Sequence, residues 1–180
     1  MEHRLSPKVK SRAKLAVVLV LLGAAGAVAA SHLRGAGAVG EEDLSLWFYD
    51  ESEHSLYAAP RATLPPDRGI GGQTGDGVLA IVVAPRGKTS DAASRRIAYL
   101  QKYTPELYKL LSDIRAARAN GEIYDGPLQS RGNFMQDNTL VRRENEAEWY
   151  SMSSAQGTRV ITEWKEWPSP DGRGLIVCTP

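Results

Sequence analysis

The run Gly-Val-Leu-Ala-Ile-Val-Val-Ala, Gly77 to Ala84, carries no polar side chain and is stopped by Pro85. A continuous apolar, β-branched stretch of this kind is what a strand covered on both faces requires, since neither side tolerates water. It predicts a sheet with this strand near its centre. The flanking text supplies partners. Leu44, Leu46 and Phe48 alternate with Ser45, Trp47 and Tyr49, the period of a strand, and the polar turn Asp50–His54 returns the chain through Ser55–Ala59 to Pro60. That pattern is a β-hairpin. The sixteen residues Arg61–Asp76 then read as a crossing loop that is long for a compact domain.

Helical text follows. Ser90 or Ser94 is placed to cap a first helix through Arg95–Tyr103. Thr104 then reads as a new N-cap, with Pro105 at the first helical position and Glu106 at the positive end of the dipole. Leu107, Leu110, Leu111, Ile114 and Ala117 form one apolar face, closed by Asn120-Gly121. Thr139–Arg143 is a short strand. Ser153 or Ser154 caps a last helix, weakened by Gly157, with Val160, Ile161, Trp164 and Trp167 on one face before Pro168. Gly174–Pro180 closes as a strand. The expected order is β-β-β-α-α-β-α-β, an α+β fold with helices on one face of a small, mostly antiparallel sheet over residues 44–180.

The amino-terminal text obeys different rules. Residues 1–14 hold five basic residues against Glu2, a net charge of +4, and Leu15 to Ala30 is then sixteen residues without a charge. A cationic leader before an apolar run is an export signal whose positive flank stays in the cytoplasm. Residues 15–33 are expected to be retained as a single-pass transmembrane anchor. The alternative is cleavage near Ala27-Val28-Ala29 or Val28-Ala29-Ala30, which would leave a secreted or periplasmic protein. Residues 34–43 read as a linker, small and then acidic. Either way the domain is expected outside the cytoplasmic membrane.

Beyond residue 14 the chain holds 17 basic and 20 acidic residues, so no basic stripe is available to follow nucleic-acid phosphates. Nucleotide binding is not expected either. The glycines of Gly69–Gly77 precede a strand, where a phosphate loop must lead into a helix N-terminus, and no Gly-Lys-Ser/Thr follows. His3 and His32 lie outside the domain, which leaves His54 and the single Cys178 too poor a set for a metal site. No cofactor is implied. Cys178 reads as a small buried side chain in the last strand. Asp50, Glu51, Asp76 and Glu148 are eligible as paired carboxylates for glycan hydrolysis, but nothing in their spacing selects a pair. The run Arg142–Trp149 reads as a solvated face.

The tryptophans are the least ordinary feature of the domain. Trp149, Trp164 and Trp167 are candidates for a surface that takes a partner protein or a sugar polymer, with core packing as the competing role. Trp47, Phe48, Tyr49 and Asp50, followed by Ile97, Tyr99, Leu100, Lys102, Tyr103, Thr104, Pro105 and Glu106, give the chain a further likeness. It resembles a group of bacterial proteins of planctomycete and verrucomicrobial type that pair a membrane segment with a Trp-Phe/Tyr-Tyr-Asp hairpin and an Ile-x-Tyr-Leu-x-Lys-Tyr-Thr-Pro-Glu helix start. The likeness spans roughly residues 15 to 120. It implies a membrane-anchored protein and brings no activity or site residue with it. The expectation is an envelope protein that binds or scaffolds. An envelope hydrolase acting on peptidoglycan or glycan is the runner-up, and a secretion or pilus-like assembly component comes third.

Overall fold

The computed structural model describes residues 44–126 and 133–180. The basic leader, the apolar segment 15–33 and the linker 34–43 lie outside the described residues. Among those described, no helix is long and apolar enough to cross a membrane.

The domain is α+β, built on an antiparallel sheet with few helices. Its spine is β4, Thr74–Pro85. Val82 and Val83 are successive, hence on opposite faces, and neither has any exposure. The strand is therefore covered on both sides, as its composition demands. The hairpin forms as expected: β1, Ser45–Asp50, pairs with β2, Ser55–Pro60, and Phe48 and Tyr49 of β1 face Leu79 and Val78 of β4. The crossing loop is more ordered than its text suggests, because Asp67–Arg68 forms a two-residue strand, β3, on β4. Tyr49, Val78, Ala80, Val82, Ala84, Leu100 and Cys178 make one core cluster, with Trp47, Leu56, Ile97 and Trp149 packed against it.

One helix is corrected. Arg96–Tyr103 is a strand, β5, paired with β4 through Leu79↔Gln101 to Val83↔Arg96. Two causes are local. Asp91 closes a single 3-10 turn at Ala92–Ser94 and takes up the Ser94 hydroxyl at 2.6 Å, so the cap leads nowhere. Thr104 precedes a proline and is driven to extended backbone (ψ 160°), which stops a helix from running into Pro105. The third cause is tertiary: β4 needs a partner, and the Ile, Tyr and Leu of this segment suit a pleated, buried surface.

The second helix forms as α1, Pro105–Ala119. Thr104 Oγ1 accepts from Leu107 N at 3.4 Å, and Gly121 (φ 72°) follows the C-cap Asn120. Only Leu107 on its apolar face is fully buried, while Leu110, Leu111, Ile114 and Ala117 are half-covered. A single helical turn, α2 (Phe134–Asp137), leads into β6, Thr139–Arg142, and a short β7, Tyr150–Ser151, extends the sheet. The last helix, α3, spans Ala155–Thr162. Ser154 Oγ accepts from Gly157 N at 2.9 Å, and a 3-10 turn at Glu163–Glu166 breaks the helical period before Trp167. β8, Leu175–Val177, pairs with β4, and Cys178 follows it, buried and free, with its N–H on Val82 O.

Candidate functional site

β6 pairs with Leu100–Tyr103 of β5, and beyond Leu100 its course departs from the sheet. The first half of β5 faces a cleft of about 530 Å³ instead. Arg95, Arg96, Ile97 and Ala98 line one side of it, and Arg143, Glu144 and Asn145 line the other. Leu56 and Trp167 complete the lining. Two further hollows, of about 460 and 560 Å³, border on Thr179 and Pro180 and hold one arginine each, against three here.

The far wall is built by two arginines that read from sequence as part of a solvated face. Arg142 is 7% exposed. Its Nη1 donates to the carbonyls of Arg143, Glu144 and Glu146, and its Nη2 pairs with Glu51 of the hairpin. The planar Nη donors of one guanidinium suit this task, which fastens a loop that has no ladder of its own, while Nε is buried without a partner among the described residues. Arg143 grips Glu163 through Nε and Nη2 and Glu146 through Nη1, which ties the wall to the 3-10 turn before Trp167. The same contact holds the Glu163 carboxyl below its usual range, and burial only partly opposes it.

The near wall is different. Among the described residues neither Arg95 nor Arg96 has a carboxylate partner. Arg95 donates Nε–H to Thr89 O at 3.0 Å and lies 4.9 Å from the Trp47 ring centre. Arg96 lies 4.2 Å from that of Trp167. Stacking orients a guanidinium at a gain of about 0.5–1 kcal/mol and leaves its donors available. Among the described residues the cleft therefore presents two positioned cations without a carboxylate partner, one compensated arginine, the acid Glu144 and apolar side chains from Leu56, Ile97, Ala98 and Trp167. It suits an anion with some apolar body.

Of the three candidate tryptophans, Trp167 lines this cleft and the other two do not. Trp149 packs against the core cluster, with the Lys102 ammonium 4.2 Å and the Arg142 guanidinium 4.8 Å from its ring centre. Burial pushes the Lys102 ammonium below its usual pKa, Glu51 opposes this, and Arg142 adds to it. Trp164 returns its indole N–H to Ile161 O at 3.0 Å, within its own helix end.

The eligible acids are not brought into this cleft. Asp50 has no exposure. Its Oδ1 accepts from Ser52 N, Ser52 Oγ and Glu53 N at 2.9–3.0 Å, and its Oδ2 accepts from Gly71 N at 3.1 Å. These bonds, the one from Glu53 foremost, pull its carboxyl down to about 2 against the cost of burial. So one N–H of the glycine-rich loop does meet an anion, and the anion is internal. Glu51 pairs with Arg142, Glu148 accepts from the Tyr150 hydroxyl at 3.0 Å, and Asp76 Oδ2 is buried without a partner among the described residues. His54, at φ 52° in the hairpin turn, meets the Tyr49 hydroxyl at 3.2 Å. Among the described residues no three His, Cys, Asp or Glu converge as metal ligands.

The chain matches no family model, no curated protein and no solved structure. The arginine pair at Arg95-Arg96 is visible in the sequence as a dipeptide, but nothing there marks it as unpaired.

Proposed function

We propose that this chain is a membrane-tethered binding protein of the bacterial envelope, and that its domain holds an anionic ligand in the cleft between β5 and the Arg143–Asn145 wall. One observation carries the reading. Among the described residues, Arg95 and Arg96 are adjacent cations without carboxylate partners, laid on aromatic rings in a cleft whose opposite wall is fixed by ion pairs. Free arginines held in a fixed pose recognise carboxylate, phosphate or sulfate groups by paired N–H donors. The tether is supported by the +4 leader, the uncharged run after it and the resemblance of residues 15–120 to anchored proteins. The same reading keeps α1 and α3 together on one face of the sheet, supported by the burial of Leu107 and Val160 where these helices meet β5 and β6.

Two experiments test it. The full chain in detergent, titrated with poly-glutamate and with oligogalacturonate while tryptophan fluorescence is read, should bind at least one of them saturably and more weakly as salt rises. The Arg95→Gln/Arg96→Gln pair should weaken that binding at least ten-fold. Silence toward both polyanions, or unchanged affinity in the double variant, would refute the cleft. For the tether, a reporter fused after Pro180 that works only outside the cytoplasm should be active, and cytoplasmic activity would contradict the orientation. Intact mass shows whether the apolar segment stays attached.

A further inference from the structure

We infer that the ligand of this cleft is an amino-bearing anion of dipeptide size, whose ammonium is taken by Glu144 while its carboxylates lie against Arg95 and Arg96. The inference rests on the reading of the cleft as an anion site and adds a second contact of opposite charge. It makes Glu144 the residue that decides which anions are held.

The cleft is bordered by charges of both signs that do not meet. Arg95, Arg96 and Glu144 line the same cavity of about 530 Å³, and among the described residues none of the three is in an ion pair. Arg143, the other cation of the lining, is already neutralised by Glu146 and Glu163. Each of the three charges is held in its place. Arg95 is kept by the Trp47 ring and by its bond to the Thr89 carbonyl, and Arg96 by the Trp167 ring. Arg142 fastens the Glu144 backbone, donating to its carbonyl at 2.8 Å. The Glu144 carboxylate stands beside the Tyr49 hydroxyl, whose pKa is raised by burial first and by Glu144 next, with Arg142 opposing.

The hairpin register orders these groups along the cleft. Tyr49 is opposite Leu56, which places Glu144 at the Leu56 end. Trp47, which carries Arg95, lies two residues back on the same face of β1, a spacing of roughly 7 Å. Arg96, next in the chain, lies on Trp167. The lining thus passes from an acidic end to a basic one. Two residues of extended peptide cover the same span of roughly 7 Å. A dipeptide ending in glutamate has one ammonium at its start and two carboxylates at its end, the inverse of one glutamate and two arginines. Leu56, Ile97 and the Trp167 ring receive the carbon between them. An anion without the ammonium brings negative charge toward Glu144 and is held by the arginine end alone.

The full chain in detergent is titrated calorimetrically with two probes, Ala-Glu with both termini free and N-propionyl-glutamate, which lacks only the amino group. The dipeptide should bind at least ten-fold more tightly. In Glu144→Gln that preference should fall below two-fold, through weaker binding of the dipeptide, while Arg95→Gln/Arg96→Gln should weaken both probes. Thermal unfolding checks that the variants are folded, and the comparison of the two probes needs no variant. Equal binding of both probes to the wild type, lost in the arginine variant, would overturn the role of Glu144 and leave the anion site standing. Glu144→Gln binding both probes more tightly by one factor would overturn it too, since Glu144 would then only compete for the arginines. Silence toward both probes, with poly-glutamate still bound, overturns the inference alone. Silence toward poly-glutamate as well overturns the anion site itself.

Discussion

The carboxylate of Asp50 has no exposure and four donors, an arrangement that decides what the glycine-rich loop does. A Cβ at Gly69 would stand 2.2 Å from Asp50 Oδ2, so this glycine is set by close approach. The linkage has a definite sign. The folded-state pKa of Asp50, about 2, lies below its ordinary 3.8. Its contribution is therefore fully present above pH ~4 and is lost as pH falls toward 2. Acid titration of Asp50→Asn should show a lower stability at neutral pH and a flatter decline between pH 4 and 2. A wild-type slope in that window would remove Asp50 from the account. Arg142 belongs to the same scale. Replacing it with leucine strands three carbonyls and Glu51, a loss expected on the order of 3 kcal/mol in denaturant unfolding. It should also weaken polyanion binding, because the cleft wall loses its clip. Neither role was legible in sequence. An aspartate at a hairpin turn and an arginine after a strand are common text, and only the fold brings Gly71 to one and Glu51 to the other.

At the scale of elements, legibility followed how much of the signal was local. β1, β2, β4, β6 and α1 are written in alternation, apolar runs and caps that need no partner to be recognised. Arg96–Tyr103 fits either period, so its text predicts a helix, and the vacancy beside β4 decides for the strand β5. Gly157 reads from sequence as a weak point in α3, and its position gives a different reason for it. A Cβ there would stand 1.9 Å from Ser151 O, so the helix packs on β7 through the missing side chain. Gly157→Ala should accordingly destabilise by about 1–3 kcal/mol through overpacking, against the gain of about 1 kcal/mol that helix propensity alone would give. A raised melting temperature would refute the close packing. On α1, Leu107→Ala should cost about 2–5 kcal/mol, and Leu110→Ala and Leu111→Ala distinctly less, since these two are only half-covered. Equal losses at the three leucines would mean that the whole face is core.

For the whole molecule, the sequence marks out an apolar amino-terminal run and a sheet domain, while the proposed ligand site depends on where the sheet leaves a gap. β6 pairs with only half of β5, and Arg142 and Arg143 hold the following loop across from the vacant half. Such a gap has no sequence signature, because it is a difference in length between two strands that are far apart in the chain. Arg95 and Arg96, without a carboxylate partner among the described residues, give it positive charge beside Glu144, and Trp167 gives it a surface. The measurement that tests this most directly is a residue-resolved NMR titration of the isotope-labelled full chain in micelles with poly-glutamate and with oligogalacturonate. The account predicts saturable shifts concentrated at the amides of Arg95 to Ala98, at Asn145 and at the Trp167 indole. Saturable shifts on the half-covered leucine face of α1, with β5 and Trp167 unmoved, would contradict it.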